Sequence, residues 1–198
     1  MQYTIIDIVP ILHAEARIVK DTVVSQLLLD SRRITDPAGS LFFALSGFRR
    51  DGHDFIPVLY RSGVRNFVIS HEVDEAGCPD ANFLRVANTL DALQELAAYH
   101  RSRFSIPVIG ITGSNGKTIV KEWLYHLLQP EYSIVRSPRS YNSQIGVPLS
   151  IWQMNTKHTL AIFEAGISKP GEMERLEKMI RPTIGVFTNI GEAHSEGF

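Results

Sequence analysis

A chain of 198 residues with 44% hydrophobic and 21% charged residues has the composition of a soluble globular protein. Its net charge of -1 provides no broad basic field for nucleic acid, and its single cysteine excludes an intrachain disulfide. No apolar run is as long as a membrane span, and Met1-Gln2-Tyr3 lacks the basic start of a signal peptide, so we expect a cytoplasmic protein with no membrane partner.

The first half of the chain mixes short strands with helices. Strands are predicted at 23–30, 41–45, 66–70 and 83–86, where β-branched and aromatic residues concentrate. Helices are predicted at 55–60 and at 89–103, the second with Asn88 as its N-cap. Ser105-Ile106-Pro107 marks the expected boundary between a domain at 1–104 and a second domain at 105–198.

Beyond this boundary, strands and helices alternate. Strands are predicted at 106–111, 132–136, 159–163 and 183–190, and helices at 119–128, 146–154 and 172–180. The strands are continuous apolar runs, which is typical of a parallel sheet covered on both faces. On the helix at 119–128 we assign one apolar stripe to the core: Val120, Trp123, Leu124 and Leu127. The expected fold class is therefore α/β.

A glycine-rich turn separates the strand at 106–111 from the next helix. Its residues run Gly110-Ile-Thr-Gly113-Ser114-Asn115-Gly116-Lys117-Thr118. In such a turn, backbone N–H groups and a helix N-terminus converge on a phosphate, the lysine reaches the terminal phosphates and the threonine hydroxyl holds Mg²⁺. The turn therefore predicts a site for a nucleoside triphosphate. The alternative is a glycine turn that only connects strand to helix, since Ile111 stands where the usual pattern has its first glycine.

Two further strands of the second half end in polar groups. Glu164 closes the strand at 159–163, and the segment from Thr188 to His194 closes the last strand. Ligands bind beyond the carboxyl ends of parallel strands, and Mg²⁺ prefers oxygen ligands, so Glu164 is the expected metal carboxylate. The alternative is a surface carboxylate at a strand end. His194 alone is a weak signal.

Four blocks of residues together resemble the Mur ligases, the ATP-dependent amino-acid-adding enzymes of peptidoglycan synthesis. The blocks are Asp30-Ser31-Arg32 with Gly39 to Leu45, Gly47 with Asp51-Gly-His53, Thr112 to Thr118, and Thr188 to His194. The resemblance implies a small N-terminal UDP-binding α/β domain followed by an incomplete P-loop-type parallel-sheet domain for ATP. Within the family, three features favour the member that adds D-alanyl-D-alanine to UDP-N-acetylmuramoyl tripeptide. They are Val120-Lys121-Glu122, the segment from Tyr141 to Leu149, and Glu164-Ala-Gly166.

The same resemblance implies roles for individual residues. ATP would phosphorylate the terminal carboxylate of the peptide, and the amine of D-Ala-D-Ala would displace the phosphate. Thr118 and Glu164 would hold one Mg²⁺, His194 would help to hold a second, and Lys117, Asn142 and His194 would act in catalysis. The UDP site would be lined by Leu29, Ser31, Arg32, Phe48, Arg49 and Arg50. His53, Asp30 and Asp51 are expected to be structural.

Several alternatives stay open at this stage. A sister Mur ligase, a folylpolyglutamate synthase relative and a non-catalytic module for a nucleotide or a UDP-sugar are the competing interpretations, while a regulatory GTPase finds no guanine-reading motif. Mur ligases continue past the position of His194 with a carbamylated lysine and further domains. We therefore expect a piece of a longer ligase, inactive without the C-terminal domains of the same chain.

Overall fold

The computed structural model describes residues 2–47 and 50–191 and divides into two compact units, Met1–Leu96 and Ala97–Phe198. The change from one unit to the other falls within helix α3 (Thr89–Ser102), before the predicted boundary at Phe104. The end of this helix belongs to the second unit because Arg101 is buried there and donates hydrogen bonds to the carbonyls of Ile180 and Arg181. Among the described residues, no helix is long and apolar enough to cross a membrane.

The first unit is built around a five-stranded sheet. The strands of that sheet are β2 (Glu15–Arg17), β4 (Gln26–Leu28), β5 (Ser40–Phe43), β6 (Asn66–Ile69) and β7 (Asn82–Arg85), while β1 (Tyr3–Thr4) and β3 (Val23–Val24) form a separate pair. Its other helices are α1 (Ile5–Ile11) and α2 (Ile56–Arg61), the latter preceded by a 3₁₀ turn at Gly52–Phe55. The sheet order is β2-β7-β6-β5-β4, and all pairs are parallel except β2 with β7. Phe67 stacks on Phe83 in its core, with 5.5 Å between ring centroids.

The single strand predicted at 23–30 is wrong. The strand is interrupted at Ser25, because the N–H groups of Ser25 and Gln26 both donate to the carbonyl of Gly39. The two halves then pair differently, β3 antiparallel with β1 and β4 parallel with β5. The N-cap predicted at Asn88 is confirmed, since its side-chain oxygen accepts hydrogen bonds from the N–H groups of Leu90 and Asp91.

The second unit contains the predicted parallel sheet. Its strands are β8 (Val108–Thr112), β9 (Ile134–Arg136), β10 (Leu160–Glu164) and β11 (Ile184–Phe187), and its helices are α4 (Lys117–Leu128), α5 (Gly146–Trp152) and α6 (Glu172–Ile180). The sheet order is β11-β8-β10-β9. Alternate residues of β10 enter different clusters: Ile162 packs on the side of α4, and Phe163 packs with residues of α5 and α6.

Two predictions of buried apolar residues in this unit are wrong. Trp123 and Leu127 on α4 are 72% and 73% exposed, while Val120 and Leu124 pack against the sheet. Val120 and Leu124 form one row along α4, and Trp123 and Leu127 form a second. Because successive helical residues are about 100° apart, the second row is rotated away from the sheet. In β11, Phe187 is 60% exposed because this strand is at the edge of the described sheet.

The buried His100 predicts acid sensitivity of the second unit. Burial lowers the pKa of His100 from 6.5 to about 4, although its ring hydrogen-bonds the Met154 carbonyl at 3.0 Å. The imidazole of His100 therefore binds a proton more readily in the unfolded chain than in the folded one. Its contribution to stability is full above pH 6.5 and is lost as the pH falls towards 4. The loss approaches about 3 kcal/mol. Urea unfolding of His100→Gln should show a correspondingly weaker pH dependence between these values. The exposed His126→Gln serves as the control and should follow the unsubstituted protein.

Candidate functional site

The glycine turn between β8 and α4 has a backbone that requires glycine. Gly113 and Gly116 have φ angles of +125° and +84°, in the left-handed region that side chains disfavour. A Cβ atom on Gly113 would also lie 2.2 Å from Oγ1 of Thr188. The turn is therefore packed closely against the segment that follows β11.

Asn189 holds the shape of this turn. Its carbonyl accepts the N–H of Ser114 at 3.0 Å, and its Oδ1 accepts the N–H of Asn115 at 2.9 Å. The Thr188 hydroxyl donates to the Asn115 carbonyl at 2.5 Å. Two amides that the sequence suggested for phosphate binding are thus occupied by protein. Asn189 lies in one of the four motif blocks, but no residue pattern indicated this role for it.

The remaining amides of the turn are at the first turn of α4. The N–H groups of Gly116, Lys117 and Thr118 have no hydrogen-bond partner among the described residues. The first N–H groups of a helix point outwards along its axis and attract anions. The Lys117 ammonium lies at the same mouth, where it donates to the carbonyls of Gly113 and Ser114 at 2.5 and 3.2 Å.

The structure brings Thr118 and Glu164 together. Oγ1 of Thr118 donates to Oε2 of Glu164 at 3.0 Å. The contact follows from the strand register, because Glu164 pairs with Ile111 and therefore lies where β8 enters the turn. Glu164 is fully buried, which excludes the alternative of a solvated carboxylate at a strand end. Two oxygen atoms this close, one of them a carboxylate oxygen, suit the ligand preference of Mg²⁺.

A buried lysine completes this cluster. Nζ of Lys121 lies 2.8 Å from Oε1 of Glu164, and both side chains have no exposed surface. The same ammonium donates to the carbonyls of Ser137, at 2.8 Å, and Arg139. From the sequence, Lys121 was recognisable only as part of the Val120-Lys121-Glu122 motif. Its position four residues after Lys117, on the same face of α4, is the signal that could have identified it.

Asn142 lies at the end of the strand that carries Glu164. Its carbonyl accepts the N–H of Gly166 at 2.8 Å. A Cβ atom on Gly166 would lie 2.9 Å from Cγ of Asn142, so the amide side chain is against the bare backbone of this glycine. The carboxyl end of the parallel sheet of the second unit thus carries the first turn of α4, the Thr118–Glu164 pair and Asn142. His194 lies outside the described residues.

Four of the residues predicted for UDP are described, and they lie in the first unit at the carboxyl ends of two neighbouring strands. Leu29, Ser31 and Arg32 follow β4, Arg50 lies in the connection after β5, and these strands are parallel. The Arg32 guanidinium forms a forked contact with Asp30 through Nε at 2.9 Å and Nη2 at 2.7 Å. These hydrogen bonds hold the pKa of the Asp30 carboxyl well below its usual range. Phe48 and Arg49 lie outside the described residues.

Three polar side chains brace the connection after β5. Nε2 of His53 accepts the N–H of Ser70 at 3.0 Å, which assigns the ring proton to Nδ1, 2.6 Å from Oδ1 of Asp51. The His71 ring lies against that of His53, with 3.6 Å between centroids and the ring planes tilted by 34°. Burial acts to raise the pKa of Asp51, but the hydrogen bonds that its carboxylate accepts from His53 lower it overall. Both ring nitrogens of His53 therefore bond within the protein, and Asp51 is the cap residue that was predicted, since its side chain accepts the N–H of His53 at the start of the 3₁₀ turn.

Comparison with known proteins identifies a family for both units. The family model described as Mur ligase family, catalytic domain, matches residues 23–101, and the Mur ligase middle domain matches residues 111–198. The UDP-N-acetylmuramoyl-tripeptide--D-alanyl-D-alanine ligase of Borreliella burgdorferi is 39% identical over 186 residues, covering 90% of this chain and 40% of that protein. The enzyme of the same name from Bacillus subtilis is 34% identical, covering 89% and 38%.

Solved structures agree with the sequence relatives. MurF from Acinetobacter baumannii matches 98% of this chain and 42% of its own, with a TM-score of 0.89 and 29% identity. The MurF ligase from Thermotoga maritima in complex with ADP matches 86% of this chain and 39% of its own, with a TM-score of 0.76 and 32% identity. The chain thus spans about 40% of the length of the curated relatives it matches.

The contact between Gly166 and Asn142 predicts a local displacement. In Gly166→Ala the new methyl group would push the Asn142 amide away, at a cost of about 1 kcal/mol in stability because the side chain can move. The measurement is the side-chain amide resonance of Asn142 in a ¹⁵N NMR spectrum, together with the free energy of unfolding. Gly185→Ala is the matched control, since nothing lies within 4 Å of its added Cβ. An unmoved Asn142 resonance in Gly166→Ala would contradict the described packing.

Proposed function

Because this chain belongs to the Mur ligase family, we propose that it carries the UDP-binding and ATP-binding parts of a cytoplasmic ligase that joins D-alanyl-D-alanine to UDP-N-acetylmuramoyl tripeptide. The observation that supports this most directly is the Thr118–Glu164 contact beside the open amides of α4. The choice of incoming dipeptide rests on the names of the relatives and on the Lys121-Glu122 and Glu164-Ala-Gly166 features.

The reaction requires two anions to meet. In the proposed reaction, an oxygen of the tripeptide carboxylate attacks the γ-phosphorus of ATP and ADP leaves. The amine of D-Ala-D-Ala then attacks the acyl carbon, and phosphate leaves with loss of a proton from nitrogen. Two unit negative charges at ~4 Å repel each other by roughly 4 kcal/mol at an effective dielectric of 20. The site must offset this repulsion before any bond forms.

The residues of the second unit fit that requirement. The amides of Gly116, Lys117 and Thr118 would bind the phosphates, and the Lys117 ammonium would exchange its carbonyl contacts for phosphate oxygens. Thr118 and Glu164 would hold Mg²⁺, which when bound supplies positive charge to the phosphates. Asn142, at the same sheet edge, would orient the reacting carboxylate. A second metal at His194 stays a prediction.

The first unit would hold the UDP part of the substrate. Its candidate residues lie at the carboxyl ends of parallel strands, the usual position for a ligand in an open sheet. Arg50 is exposed there, whereas Arg32 would have to release Asp30 to contact a diphosphate. Among the described residues, Arg50 is therefore the better candidate for the diphosphate, with Leu29 and Ser31 following the neighbouring strand β4.

Removal of the Lys117 charge tests the nucleotide site. We expect Lys117→Met to weaken ATP binding by about 2 kcal/mol, roughly 30-fold, because a charge-assisted hydrogen bond is lost. Calorimetry with ATP and Mg²⁺ measures this, and binding of UDP-N-acetylmuramoyl tripeptide should be unchanged. Lys157→Met, at an exposed lysine outside the site, is the control. Equal ATP affinity in the unsubstituted chain and Lys117→Met would contradict the proposal.

Turnover is the second test. We propose that the 198-residue chain binds its ligands without completing the reaction, because it spans only about 40% of the length of the matched relatives. A coupled assay for ADP release, with ATP, tripeptide precursor and D-Ala-D-Ala, should stay at background. Robust release would overturn this part of the proposal.

A further inference from the structure

Lys121 is, within the described part of the second unit, the most deeply buried charged group that the proposed reaction does not use. Its side chain has no exposed surface, and besides the adjacent Glu122 of α4, whose Oε1 lies 3.3 Å away, its ammonium contacts oxygen atoms from two segments. These are the end of β10 at Glu164 and the connection after β9 at Ser137 and Arg139. A role for this residue has to explain why a cation lies in that position.

Stability alone does not explain the buried pair. Transfer of an ammonium and a carboxylate out of water carries a large penalty, and well-packed apolar residues often replace such pairs without loss of stability. Removal of one partner is far more harmful than removal of both, because a buried charge is left uncompensated. The role of Lys121 therefore has to be inferred from the geometry of its contact with Glu164, and the presence of a buried ion pair is not enough.

The two oxygens of the Glu164 carboxylate have different partners. Oε1 lies 2.8 Å from the Lys121 ammonium and makes no hydrogen bond within the described residues, so this contact is electrostatic. Oε2 accepts the hydroxyl of Thr118. The terminal torsion of a glutamate has broad energy wells, so its partners decide how the carboxylate is rotated. The lysine draws one oxygen inwards and leaves the other beside Thr118.

The same ammonium restrains the connection that leads to Asn142. Arg139 has a φ angle of +51°, a conformation that residues other than glycine rarely adopt. Its carbonyl accepts a hydrogen bond from Lys121, as does that of Ser137. One buried cation therefore connects Glu164 with the strained turn three residues before Asn142.

We propose that Lys121 is a positioning residue that orients the Glu164 carboxylate so that Oε2 and the Thr118 hydroxyl together bind Mg²⁺ with the nucleotide. The inference rests on the proposed function of the site, and it adds a residue that touches neither substrate nor metal. A purely structural lysine would affect folding but would leave the contribution of Mg²⁺ to nucleotide binding unchanged.

The experiment compares ATP affinity with excess Mg²⁺ and with EDTA, using the 198-residue chain. The measured quantity is the Mg²⁺ ratio, defined as the dissociation constant of ATP in EDTA divided by that in excess Mg²⁺. In Lys121→Met this ratio should fall by about 10-fold to 100-fold, the usual effect of losing a residue that orients a metal ligand. Binding without Mg²⁺ should change little, because the amides of α4 remain. Lys121→Gln is the second variant, since its amide can still donate to a backbone carbonyl and support folding.

Lys178→Met is the matched control. Lys178 also pairs with a glutamate at 2.7 Å, but the pair with Glu174 is exposed on α6. Its Mg²⁺ ratio should equal that of the unsubstituted chain. Glu164→Gln should itself reduce the ratio, and Lys121→Met added to it should cause no further loss, because the two residues act through one carboxylate.

Each outcome of this experiment is decisive. A folded Lys121 variant that keeps the full effect of Mg²⁺ would overturn the inference, as would failure of both Lys121 variants to fold, which would make the residue structural. Independent, additive losses in Lys121→Met and Glu164→Gln would also overturn it. If the unsubstituted chain bound ATP equally with and without Mg²⁺, the proposed function itself would fail, and the inference with it.

Discussion

The parallel pairing of β8 with β10 is the constraint on which the arrangement of the second unit depends. Its register places Glu164 beside Ile111, one residue before the end of β8. Side chains alternate between the faces of a strand, and Ile162 and Glu164 both face α4. A shift of one residue would turn Glu164 to the face that Phe163 occupies, among apolar side chains. Burial of the apolar side chains of β10 therefore fixes the strand register, and the register in turn fixes the position of the Glu164 carboxylate.

The helix supplies the complementary half of this arrangement. Thr118 and Lys121 are three residues apart, which brings them to the same face of α4. Both reach the Glu164 carboxylate, one at each oxygen. Val120 and Leu124 pack against the same sheet and fix the rotation of the helix. Local helix geometry and strand register therefore define the same site from two directions.

The sequence predicted the features that depend on local patterns. The glycine turn, its helix and the polar end of β10 were recognisable because each follows from residue type and spacing within one segment. The break at Ser25, the exposure of Trp123 and the edge position of β11 depend on which elements become neighbours, which periodicity does not encode. The buried state of Lys121 belongs to the same class, because it results from a strand about forty residues further along the chain.

The binding capacity of the glycine turn is set by Asn189. Because this residue takes the amides of Ser114 and Asn115, the turn keeps its shape through contacts within the protein. Amides that remain open belong to the first turn of α4, where the helix dipole adds to their attraction for an anion. Lys117 lies across the carbonyls of the same turn, so its ammonium needs to exchange partners but no backbone rotation is required. Such preorganised donors are worth more to a charged ligand than flexible ones, because little ordering remains to be done when the ligand binds.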